Sequence, residues 1–367
     1  MMAGFQKWKP VVVILSLYFV MACLNLLFKK ILDEGMSQLV IVTYRLATGA
    51  VFLMPVAYFF ERKRGVNVQL SRSILCHLFL SALIGATLAQ YLVLLGIQCT
   101  SAAFASAFIN LTPVFTFLIA LLIRQESVNL RSTGGKAKVL GSLICTGGVL
   151  LLILYKGIPL NNAIHSEKSS NDGSNNSSIT MIGDKHKWIL GSVFLVLGNL
   201  SWSCWFLIQS RISKIYPYKY SSTALMSAIG AVQSAILCFS TNRKFSIWVL
   251  KGTLQIFTVL SAGLFGSGLC YVGMSWCVEQ KGPVFTSAFS PSIPIFTAIM
   301  DVAIFHEQIY LGSVIGAILV ICGLYILLWG KSRETSDNNS FNKPAEAAHC
   351  TGISTNAIDI PHATNSG

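Results

Sequence analysis

Residues 104–126 read FASAFINLTPVFTFLIALLIRQE, and residues 285–307 read FTSAFSPSIPIFTAIMDVAIFHE. At a constant offset of 181, Phe104, Ser106, Ala107, Phe108, Pro113, Phe115, Thr116 and Glu126 meet Phe285, Ser287, Ala288, Phe289, Pro294, Phe296, Thr297 and Glu307. Each copy is an apolar run long enough to cross a bilayer, with a proline near its middle and a glutamate at its end. The offset also holds upstream, where Ala47, Gly49, Ala50 and Val51 meet Ala228, Gly230, Ala231 and Val232, and Gly85 meets Gly266. Past the glutamates it falls to 175, and Gly141, Gly148 and Lys156 meet Gly316, Gly323 and Lys331. The sequence therefore predicts a membrane protein made of two homologous halves.

Composition agrees. Charged residues make up 11% of the 367 residues and apolar residues 53%, against roughly 25% charged in an ordinary soluble domain. The mean hydropathy is +0.64. A net charge of +13 would suggest nucleic acid in a soluble protein. Here the basic residues sit in short loops between apolar runs, which is a topology signal, so no nucleic-acid partner is expected. The ten cysteines are scattered singly, mostly inside apolar runs, as at Cys23, Cys145, Cys204, Cys238, Cys270 and Cys322. That is the pattern of small apolar fillers and not of metal ligands. HExxH, GxSxG and paired acidic motifs are absent from the sequence. No catalytic residue, metal or cofactor is expected, and the chain does not read as an enzyme.

Ten spans are expected, at roughly 11–28, 38–60, 74–97, 101–123, 136–155, 188–209, 220–240, 253–277, 283–305 and 311–329. Most of the 27 lysines and arginines fall on the side of the N-terminus, which places both termini in the cytosol. Five spans per half then make the second half run upside down relative to the first. The organisation is a cytosolic N-terminus (1–10), a first repeat (11–156), a non-cytosolic linker (157–187), a second repeat (188–331) and a disordered cytosolic tail (332–367). The linker carries overlapping glycosylation sequons at Asn175 and Asn176.

The candidate site residues are the polar and helix-breaking groups inside the spans. Arg45 lies near the centre of the second span, where a charge costs several kcal/mol unless it faces protein, water or a partner. Its repeat mate is Met226, so the fold itself does not demand a charge. Arg45 is either a counter-charge for an anionic substrate or a structural cation bonded within the protein. Asp301, whose mate is Ala120, suits proton coupling or a polar helix-end contact. Glu126 and Glu307 each precede another span, as helix-end partners or as a pair of gates.

Pro113 and Pro294 cannot donate to the carbonyls of Ile109 and Ser290, and Pro291 leaves that of Ser287 free. Equivalent broken helices in two halves point to a central site, to which Asn110 and Ser287 would belong; the alternative is a packing kink. Gln90 and Tyr271 are repeat mates following Gly85 and Gly266 and are weaker candidates, with Asn25, Tyr44, Asn199, Trp202 and Trp205. The run GLFGSGLC at 263–270 follows no strand and reads as close helix packing.

The stretch KGPVFTSAFSPSIPIFTAIMDVAIFHEQIYLGSVIGA (281–317) with GLYILLWGK (323–331) strongly resembles plant transporters with two EamA domains, the Walls Are Thin-related, nodulin 21-like or UmamiT family. YRLATGAVFLMPVAYFFERK (44–63), NLTPVFTFLIALLIRQE (110–126) and LYKG (154–157) agree in the first half. The resemblance implies the drug/metabolite transporter fold, an all-α membrane protein of ten transmembrane helices in two inverted five-helix EamA repeats. It also implies movement of amino acids, auxin or related compounds across the plasma or vacuolar membrane. The lipid bilayer, a small-molecule substrate and protons are the expected partners. A nucleotide-sugar carrier and a membrane scaffold or receptor without transport are the alternatives.

Overall fold

The computed structural model describes residues 2–61, 71–100, 105, 108–125, 132–154, 177–241, 243–250 and 252–300, with 312, 314–316, 318–319, 321–323, 325–327, 329–330 and 333. Regular structure among them is entirely helical. An apolar run in lipid has no water to satisfy its backbone, so it closes its hydrogen bonds within itself. The helices are α1 (Met2–Asp33), α2 (Gln38–Glu61), α3 (Arg72–Cys99), α4 (Thr112–Leu122), α5 (Thr133–Leu154), α6 (Ser177–Ile215), α7 (Lys219–Thr241), α8 (Thr253–Lys281), α9 (Pro283–Ala288) and α10 (Ser292–Met300). Six described helices, α1–α3 and α6–α8, are long and apolar enough to cross a membrane. Val51, Phe59 and Leu122 point their side chains outward, as lipid-facing residues do.

Helix α6 starts at Ser177, inside the segment that the sequence reads as linker. Residues 177–187 contain no proline, so the rod continues past its apolar run without a break.

The helix pairings repeat when the halves are exchanged. Helix α2 packs on α7, its own repeat mate. It also packs on the middle of α8, while α7 packs on the middle of α3. The pairs α3–α6 and α8–α1 correspond, as do α4–α6 and α10–α1. The correspondence reaches single residues. A Cβ on Gly85 would strike Trp205, and one on Gly266 would meet Leu24, the mate of Trp205.

Helices α3 and α8 both widen into π-helix, over Ala82–Leu88 and Ala262–Cys270, one repeat offset apart. Such segments carry no strong sequence signal and often mark functional positions. GLFGSGLC is this segment in α8, and its glycines do pack closely. A Cβ at Gly263 would lie 2.5 Å from Thr48 Cβ, and one at Gly49 would lie 2.6 Å from Ser267 Cβ.

Glu61, at the end of α2, caps the first turn of α7. Its carboxylate accepts the N–H groups of Tyr220 at 2.7 Å and Ser221 at 3.0 Å, and the Ser221 hydroxyl. The helix dipole favours an anion there. Beside this cap, burial pushes the Tyr216 phenol above the ordinary tyrosine value, and Glu61 adds to the rise. Glu61→Ala is expected to cost about 1–2 kcal/mol, read as a lower midpoint of thermal inactivation in detergent. An unchanged midpoint would mean that water replaces the cap without loss.

Candidate functional site

Arg45 is 3% exposed, and α2 aims it at the π-helical turn of α8. Its Nε donates to Ser267 Oγ at 2.9 Å and its Nη1 to Gln90 Oε1 at 2.9 Å. The guanidinium lies 5.5 Å from the Tyr271 ring centroid and 5.8 Å from that of Phe28. A Cβ on Gly266 would sit 3.4 Å from Arg45 Nε, so this glycine leaves room for the head group. Nη2 has no partner, and the guanidinium pairs with no carboxylate among the described residues. Buried charges are ordinarily paired or discharged, and this one is held only by neutral groups. The Tyr271 hydroxyl lies within electrostatic reach of Arg45 and Gln90 but makes no well-formed hydrogen bond.

One wall of this site is aromatic. Trp205 lies 5.3 Å from Tyr271 and stacks on Trp202 at 4.9 Å. In the other half Met226 fills the place of Arg45, and its Sδ accepts from Ser81 Oγ at 3.2 Å and Trp205 Nε1 at 3.3 Å.

The proline-broken stretches form a second cluster. The chain turns at Asn110–Leu111 before α4 and at Phe289–Pro291 between α9 and α10. Ser290 Oγ donates to the Ile109 carbonyl at 3.4 Å. Ser290 and Ile109 are repeat mates, so the two halves touch here at matching positions. Pro113 and Pro291 are buried and Pro294 half-buried. Buried Asn110 has its Oδ1 unpartnered. Thr112 bonds Asn199 at 3.1 Å, and Ser203 Oγ donates to the Thr112 carbonyl at 3.2 Å, which ties α4 to α6.

The sequence-predicted residues thus divide. Arg45, Gln90 and Tyr271 come together, while Asn110, Pro113, Pro291 and Pro294 gather at the breaks. Two carbonyls expected to be open are closed by turn geometry. The Ser287 carbonyl accepts from Ser290 N–H at 2.9 Å, and that of Ser290 accepts from Ile293 N–H at 3.0 Å. The Ser287 hydroxyl is spent on the Val284 carbonyl at 3.1 Å, so it does not reach the Arg45 cluster. Asp301, Glu126, Glu307, Asn175 and Asn176 lie outside the described residues. Sequence reasoning missed Ser267, which the offset hides because its mate is Ala86, and Phe28, which only folding brings to Arg45.

The EamA-like transporter family model matches residues 8–154 and 189–329, one match per half. The chain belongs to this family. Its WAT1-related relatives in Arabidopsis thaliana include WAT1-related protein At3g30340, 45% identical over 93% of this chain and 92% of the relative. WAT1-related protein At4g01440 is 43% identical over 89% of this chain and 88% of that one. A crystal structure 14% identical in sequence shares the fold with a TM-score of 0.60, covering 87% of this chain and 98% of its own. The chain is therefore a WAT1-related EamA transporter, a multi-pass integral membrane protein built for small-molecule transport in the bilayer.

Proposed function

We propose that this transporter moves small organic carboxylates, amino acids or auxin-like acids, by alternating access, and that Arg45 holds the carboxylate. The observation that carries the reading is the buried Arg45 guanidinium with one unpartnered nitrogen and no counter-ion among the described residues. An arriving carboxylate would supply the missing charge and accept from Nη2, a charge-assisted bond roughly twice as strong as a neutral one. Ser267 and Gln90 hold the fork in place, and the aromatic wall of Trp202, Trp205 and Tyr271 suits the apolar body of the solute.

In this reading ten helices form two inverted repeats with both termini cytosolic, in the plasma or vacuolar membrane. The breaks at Pro113 and Pro294 act as hinges, and Asp301 carries a coupled proton. Glu126 and Glu307 serve at the helix ends. A phosphorylated cargo such as a nucleotide sugar would call for more than one deep basic group, and the companions of Arg45 are neutral.

The test is uptake of labelled amino acids and indole-3-acetic acid by proteoliposomes, with and without a proton gradient. Saturable uptake blocked by unlabelled carboxylates, but not by the matching amides, is expected. Equal block by amides would overturn the role of charge. No flux of any solute would leave the scaffold reading.

A further inference from the structure

One ion pair stands at the meeting of α7 and α8, where Lys219 Nζ lies 2.5 Å from Glu279 Oε2. From it a polar stripe runs inward along each helix. On α7, Thr223 and Ser227 follow Lys219 at four-residue steps; on α8, Ser275 and Tyr271 precede Glu279 at the same step. Residues four apart share a helix face. The stripes run in opposite chain directions from the pair, and that of α8 ends at Tyr271, beside Arg45.

The three hydroxyls between differ from most others in this protein. Ser203, Ser213 and Ser261 each donate to the carbonyl four residues back. Thr223, Ser227 and Ser275 are buried just as deeply as the core, yet their hydroxyls, like those of Ser142 and Thr258, have no partner among the described residues. A buried hydroxyl left unpaired costs about 1–3 kcal/mol. Three on one seam are accounted for together if the seam fills with water or solute during function.

The outer end of the seam opens onto a cavity of about 520 Å³, lined by Arg124, Gln125, Arg211, Lys214, Glu279 and Gly282 among others. Glu279 is taken by Lys219. Arg124, Arg211 and Lys214 form no ion pair among the described residues, so the cavity presents net positive charge. A concave site of one sign concentrates ions of the other.

We propose that the α7–α8 seam is the route between the Arg45 site and one membrane face. Its mouth is an anion-collecting vestibule built by Arg124, Arg211 and Lys214, and the Lys219–Glu279 pair is its gate. A carboxylate gathered in the vestibule competes with Glu279 for Lys219, and the seam opens as that pair parts. The inference rests on the carboxylate-transport reading, and it names where such a solute enters or leaves.

The experiment reads access without reading transport. Ser275→Cys is made in the full chain and reconstituted in proteoliposomes. It is treated with methanethiosulfonates carrying either a sulfonate or a trimethylammonium group. Modification is followed residue by residue by mass spectrometry, which separates position 275 from native cysteines. Adding Glu279→Gln is expected to speed modification roughly tenfold, with the sulfonate reagent favoured by a similar factor. That preference should vanish in R211Q/K214Q. The exchanged pair K219E/E279K should return the rate to that of Ser275→Cys alone, which separates gating from loosened packing.

No modification even with Glu279→Gln would overturn the route. Modification without charge preference would overturn the anion-collecting vestibule, and a fast rate in the exchanged pair would overturn the gate. Thr223→Cys gives a second position on the facing helix should Ser275→Cys fail to fold. Absent carboxylate flux together with gated modification would sink the transport reading and leave the seam standing.

Discussion

Replacing Arg45 with methionine is expected to leave a folded protein whose carboxylate uptake is lower by about 30- to 100-fold. Methionine is what the other half already holds at the matching position. Met226 lies there fully buried, with Ser81 and Trp205 donating to its sulfur. The substitution removes two hydrogen bonds, to Ser267 and Gln90, but also removes a buried charge held only by neutral groups. Replacing buried ionic groups by well-packed apolar ones is often close to neutral for stability. Uptake should suffer far more, since the solute's carboxylate loses its guanidinium. Arg45→Lys should not rescue it, because an ammonium lacks the planar fork that Ser267 and Gln90 hold. Size-exclusion of the detergent-solubilised protein checks the fold, and proteoliposome uptake checks the effect. Equal uptake in a folded mutant would make Arg45 a packing residue and return attention to Asn110 at the helix breaks.

Gly85→Ala is expected to act in the opposite way, through the fold before the flux. A Cβ there would overlap the Trp205 ring and fall 2.7 Å from Trp205 Cβ. Trp205 is itself fully buried and packed on Trp202, Phe206 and Tyr271, so it cannot swing aside. Forcing a methyl group into such a contact costs about 3 kcal/mol. Thermal inactivation in detergent should begin at a clearly lower temperature, and the yield of monodisperse protein should fall. Gly147→Ala is the control, since a methyl group there would meet nothing within 4 Å. Gly266→Ala falls between: the Leu24 methyl at 3.0 Å can yield and Arg45 Nε at 3.4 Å is an ordinary contact, so stability drops less than in Gly85→Ala. If Gly85→Ala and Gly147→Ala unfold alike, close packing at the π-helical turn is not what holds α3 to α6.

The sequence carried the fold far because lipid imposes strict rules. Apolar runs became helices whose ends fall within four residues of expectation in α2, α3, α5, α7 and α8, while α1 and α6 start about ten residues earlier than expected, and the prolines marked the breaks. Arg45, Gln90 and Tyr271 were legible because a polar group inside a span needs a reason. The rest was hidden by its physics. A π-helical turn differs from an α-helix by one hydrogen-bond step, which no residue pattern around Gly85 or Gly266 announces. Ser267 looked like a small packing residue, and whether its hydroxyl meets a backbone or a guanidinium depends on how α8 is rotated. The partner of Glu61 lies far along the chain, at the start of α7, and no repeat offset connects them. The unpartnered state of Thr223, Ser227 and Ser275 depends on side-chain rotation, which sequence does not encode locally.

Ile109 and Ser290 occupy the same place in the two halves and touch one another. Had two identical chains met there, each residue would face its own copy, serine against serine or isoleucine against isoleucine. Joining the halves in one polypeptide removes that constraint. One half can offer a serine hydroxyl where the other holds isoleucine, and α2 can hold arginine where α7 holds methionine. In the carboxylate reading, a cation held by one half alone would give the site a head and a tail for its cargo. A solute with a single acidic end would then settle in one orientation only, although the helix pairings around it repeat in both halves.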